Sequence, residues 1–78
     1  MNPEADYIVD FRGAIASITL LEMTDTFREM KNDQILEILV LDPETISDIF
    51  KVLPASSYEL IEMEDKTEGY RIQLKKAA

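Results

Sequence analysis

The stretch that most constrains this chain is ILEILVL, Ile35 to Leu41, in which six of seven residues are large and apolar. A run this short, bounded by turn-forming residues, reads as an interior strand with both faces at least partly covered. Such a strand needs neighbours on both edges and an apolar layer across it. The rest of the sequence must supply them.

Two helical patterns flank the run. Ala16, Leu20, Met23, Phe27 and Met30 recur at spacings of three and four and define one apolar face, with Glu22, Asp25, Arg28 and Glu29 elsewhere. After it, KNDQ breaks the pattern, and Asn32 is suited to the left-handed conformation that follows many helices. The second pattern, DPETISDIFKVLP, has Asp42 as N-cap, Pro43 at the first helical position, a stripe of Ile46, Ile49, Phe50 and Leu53, and a stop at Pro54. YIVDF, Tyr7 to Phe11, is β-branched and aromatic and reads as a strand, as do YELIEMED and YRIQLKK, joined by KTEG with Gly69 supplying a positive φ. In the last strand Tyr70, Ile72 and Leu74 are expected in the core and Arg71, Gln73 and Lys75 in water. The order strand, helix, strand, helix, strand, strand, with right-handed crossovers, puts both helices on one side of a sheet. The expected fold is a two-layer α/β sandwich in a single domain spanning residues 1–78, with its core in 7–76.

Composition narrows the function. Sixteen acidic against eight basic residues, a net charge of −8, oppose nucleic-acid binding, which draws its affinity from cations that displace counterions. The opening MNPEADYIVD lacks the cations of a signal peptide, and no apolar run approaches the roughly 18 residues of a membrane span. A cytoplasmic protein with no membrane partner is expected. There is no histidine and no cysteine, so the usual zinc ligands are missing. The acids of DPETISD lack the glycine and spaced oxygens of a calcium loop, and no cofactor is expected.

Three motifs carry a resemblance: DFRG at Asp10 to Gly13, LDPETISDIF at Leu41 to Phe50, and GYRIQLKK at Gly69 to Lys76. In order and spacing they resemble the small TusA/SirA-like sulfur carriers, which pass a persulfide sulfur between partners. Those proteins follow a first strand with Arg-Gly-Leu-x-Cys-Pro-x-Pro at the head of the first helix. The resemblance spans Tyr7 to Lys76 and implies a four-stranded mixed sheet in the order 1-2-4-3 with both helices on one face.

The chain departs from the family at the chemistry. Aligned from Arg12 and Gly13, the carrier cysteine falls on Ala16, the first proline on Ser17 and the second on Thr19. A thiolate at a helix N-terminus is stabilised by the dipole and free amides, and an alanine methyl offers nothing in its place. Ser17 has no histidine to act as its base, and a pairing with Asp10 has no visible oxyanion donors. Thr19 and Glu22 match a capping box, which would start the helix at Thr19 and engage its free amides.

Without a catalytic residue of its own, the chain is expected to be a non-catalytic protein-binding or regulatory module, the alternative being a sulfur-relay component whose partner supplies the cysteine. A protein partner or a second copy is expected on the sheet face away from the helices. With Leu36, Ile38 and Val40 under the helices, that face carries Ile35, Leu39 and Leu41 beside the basic Arg71 and Lys75.

Overall fold

In the computed structural model, which describes residues 4–77, the ILEILVL stretch becomes an interior strand. The elements are β1 (Tyr7–Asp10), α1 (Ala16–Glu29), β2 (Ile35–Val40), α2 (Pro43–Val52), β3 (Tyr58–Lys66) and β4 (Gly69–Lys76), with a 3₁₀ turn at Ala55–Ser57. The sheet order is β1-β2-β4-β3, with β1 parallel to β2 and the other two pairs antiparallel, as the resemblance implies.

Pairing in β2 settles which residues face the helices. Leu36, Ile38 and Val40 lie opposite Leu74, Ile72 and Tyr70, and all three β2 residues are fully buried. They join Val9, Ile72 and Leu74 of the sheet with Met23, Phe27 and Met30 of the first helical segment and Ile49 and Leu53 of the second. Both helices therefore cover one face, giving the expected two-layer sandwich. Each fully buried aliphatic side chain contributes roughly 1.5–3 kcal/mol, so this one layer dominates the stability.

Local chemistry fixes the second helix. Asp42 accepts from the Thr45 backbone N–H (3.1 Å) and the Thr45 hydroxyl (2.8 Å), and Pro43 occupies the first turn. At the far end of α1, the Lys76 ammonium donates to the carbonyl oxygens of Phe27 and Arg28 and sits 5.0 Å from the centre of the Phe27 ring. A cation at a helix C-terminus satisfies free carbonyls and matches the dipole. The end of β4 is thereby tied to the end of α1. None of the helices among the described residues is long and apolar enough to cross a membrane.

Three expectations are corrected, and one feature is new. The left-handed residue after α1 is Asp33 (φ 70°), not Asn32, because the Asp33 amide reaches the Lys76 carbonyl at 2.9 Å and the turn forms around that bond. Ala16 is exposed at the start of α1, off the buried stripe, and Thr19 is buried instead. The outer face of β4 is not wet: Gln73 is fully buried and only 16% of the Arg71 side chain is exposed. Finally, β3 carries a bulge between Leu60 and Glu62. The extra residue reverses the alternation, so Glu62 and Glu64 share a face with Glu59.

Gly69 begins β4 at φ 118°, and a Cβ there would collide with the Val40 carbonyl oxygen. The hairpin thus needs glycine for close approach as well as for its turn.

Candidate functional site

The site indicated by the sequence is the turn from β1 into α1. Asp10 organises it. The Asp10 carboxylate accepts from the Arg12 backbone N–H at 2.9 Å and from the guanidinium Nε and an Nη at 2.9 and 3.0 Å. The Arg12 guanidinium and amide hold the Asp10 carboxyl below its ordinary value. This occupies both residues, so Asp10 is not a base for Ser17. Gly13 follows at φ 72°, the left-handed turn that lets the chain double back, and Ala14 donates to the Phe11 carbonyl at 3.3 Å.

The helix starts earlier than the capping box suggests. Its N-cap is Ile15, which has no side-chain hydrogen bond, and no acid lies in the first turn. The Thr19 hydroxyl turns back to the Ile15 carbonyl at 3.1 Å, a bond within the helix, while Glu22 lies beyond the first turn. The expectation that Thr19 and Glu22 engage the free amides is thus wrong. The Ile18 and Thr19 amides bond the Ile15 carbonyl, which leaves those of Ala16 and Ser17 without an acceptor among the described residues. Ala16 sits at the first helical position, exposed, with open amides and the positive dipole end around it. The surroundings suit a thiolate. The side chain there is a methyl group, and the exposed Ser17 hydroxyl has no base.

Beside this position lies a feature that the sequence reading missed. Ile15, Ile18 and Leu21 are 66%, 61% and 65% exposed and climb the outer side of α1 next to Ala16. The signal was present in their spacing of three, off the stripe of Met23, Phe27 and Met30. A helix apolar on two sides has more apolar surface than one core can cover.

The sheet face away from the helices differs from the expected apolar strip beside a basic one. Ile35 and Leu39 lie there half-buried opposite Lys75 and Arg71, while Leu41 has left the strand and is exposed. Arg71 is not an open cation. Its Nε donates to Glu37 at 2.9 Å, and an Nη lies 3.6 Å from Glu62 and 3.5 Å from Glu64. Gln73 donates to the same Glu37 oxygen at 3.2 Å. Three carboxylates around one guanidinium leave the cluster negative. Desolvation, with a hydrogen bond and the charge of Glu64, pushes the Glu62 carboxyl up, and Arg71 opposes them. Lys75 is spread between Asp33 and Glu59, each at 3.9 Å.

At the end of this face nearest the turn, Arg12, Leu39, Lys66, Glu68 and Arg71 help line a cavity of about 110 Å³. Its cations are already paired: Arg12 with Asp10, Lys66 with Glu64 at 3.2 Å, and Arg71 with its glutamates. Among the described residues no three carboxylates are placed so as to hold a metal ion, those around Arg71 included.

The family model described as "Sulfurtransferase TusA" matches residues 7–76. A protein of Archaeoglobus fulgidus named "Putative sulfur carrier protein" is 29% identical over 69 residues, covering 88% of this chain and 94% of that one. An uncharacterized protein of Methanocaldococcus jannaschii is 34% identical over 74 residues, 94% of this chain but 26% of that longer one.

Proposed function

Because the chain belongs to the TusA family and has no cysteine, we propose that it is a non-catalytic component of a sulfur relay whose protein partner supplies the sulfur-bearing cysteine. The observation that carries this reading is the start of α1. Fold, turn, exposed first helical position and open amides suit a sulfur carrier, and Ala16 alone withholds the acceptor. A chain of this kind can position a partner's thiol without holding sulfur itself.

The docking surface in this proposal is the ridge of Ile15, Ile18 and Leu21 beside Ala16, whose burial would return roughly 25 cal/mol per Å² of apolar surface. The open sheet face, with Ile35, Leu39, Leu41, Arg71 and Lys75, is the second candidate surface, for a protein partner or a second copy. Its enclosed guanidinium makes it the weaker of the two.

Co-purification from the native host, with persulfides tagged by alkylation before lysis, tests the proposal. A partner retained by the chain and bearing a tagged persulfide supports the relay. A partner with no persulfide refutes it and leaves a regulatory module. Ile18→Lys should release the relay partner while Leu39→Lys retains it, and the reverse pattern would move the interface to the sheet face.

A further inference from the structure

β3 forms one edge of the sheet, and among the described residues no strand pairs with its outer side. An edge of this length presents a row of backbone donors and acceptors to any strand that can lie beside it. Its side chains say which strand that is. Past the bulge, Glu62 and Glu64 oppose Gln73 and Arg71 on the open face, in line with Glu59 opposite Lys75. On the helix side, Leu60 and Met63 oppose Leu74 and Ile72, yet they remain 48% and 44% exposed because the helices do not reach the edge. One side of the edge is acidic and the other apolar.

A second copy is a poor occupant. Antiparallel pairing of two β3 strands about a two-fold axis normal to the sheet sets one glutamate row beside the other, and like charges across strands repel. We propose instead that the β3 edge accepts an extended segment of a partner protein in which lysine or arginine alternates with apolar residues. The cations lie beside Glu59, Glu62 and Glu64, and the apolar residues lie on Leu60 and Met63. Arg71 takes up part of the charge of Glu62 and Glu64, whereas the Glu59 side chain is 71% exposed and among the described residues meets only Lys75, at 3.9 Å. Glu59 is therefore the principal open anchor. This surface is separate from the α1 ridge, and the proposal does not depend on the sulfur relay.

The test is amide hydrogen exchange on the full chain with a synthetic peptide matched to the nine residues of β3, alternating lysine with leucine. Its controls are the same peptide N-methylated along one edge and a glutamate–leucine peptide. The lysine–leucine peptide should slow exchange along β3, bind more weakly as salt rises, and lose about 1.4- to 5-fold in affinity on Glu59→Gln, the size of one cross-strand charge pair. Neither control should protect β3. Equal binding by the N-methylated peptide would reduce the effect to charge adhesion and overturn the proposal. So would protection confined to another edge, or β3 protection that grows with the concentration of the free chain, since a second copy would then hold the edge.

Discussion

Placing a thiol where the family carries one tests whether the turn still suits sulfur chemistry. In Ala16→Cys the new side chain stands at the first position of a 14-residue helix, exposed, with no acid in the first turn and the amides of residues 16 and 17 open. A free cysteine titrates near 8.5. The positive end of a helix favours an anion by about 0.3–1 kcal/mol at an exposed site, and at 1.36 kcal/mol per pKa unit this lowers the thiol by about 0.2–0.7 units, to roughly 7.8–8.3. Direct hydrogen bonds from the two amides would lower it further. Leu21→Cys, also exposed but more than a turn along the same helix, provides the reference and should stay near the free value. Thiolate ultraviolet absorbance against pH, at physiological salt so that the net charge of −8 is screened, reads both. A thiol at position 16 that titrates at or above the Leu21→Cys reference would show that the helix end gives an anion no support.

Other expectations concern the fold itself. Asp42→Ala removes both bonds to Thr45 and should cost about 0.5–2 kcal/mol in urea melts, whereas Thr19→Val, which loses only a bond within the helix, should cost less. Ile38→Ala should cost about 2–5 kcal/mol and Ile8→Ala, 62% exposed, within about 0.5 kcal/mol, so equal midpoint shifts would contradict the core assignment. With its folded pKa raised, Glu62 binds more protons in the folded state, so stability should fall as pH rises from the ordinary carboxylate value through the raised one, and Glu62→Gln should flatten that slope. Asp10, held low by Arg12, has the opposite sign: its contribution is present above the unfolded value and is lost as pH falls through the folded one, and Asp10→Asn should remove that loss.

How legible each element was depended on where its cause lies. The start of α2 could be read because Asp42 and Pro43 act through neighbours three residues away at most. The buried face of β2 could be read because alternation leaves two choices and only Leu36, Ile38 and Val40 place Glu37 outside the core. The start of α1 was misread because Ile15 carries no capping group to mark it, while Thr19 and Glu22 imitate one that tertiary burial overrides. Asn32 and Asp33 are both able to take a positive φ, and the choice rests on Lys76 at the other end of the chain. The enclosure of Arg71 needed Glu37, Glu62 and Glu64 brought together from two neighbouring strands, and a bulge that no local signal announces. At the site, the missing thiol was plain from the sequence. The open amides were not, since they depend on where the helix begins, and the spacing of Ile15, Ile18 and Leu21 shows a ridge only once the buried side of the helix is known.

A chain that keeps a carrier's turn but holds no sulfur should remain unlabelled when incubated with a cysteine desulfurase and radiolabelled cysteine, while Ala16→Cys under the same conditions takes up label that a reductant releases. Label bound stably to the unsubstituted chain would contradict the account, since no side chain at the head of α1 could then be called inert.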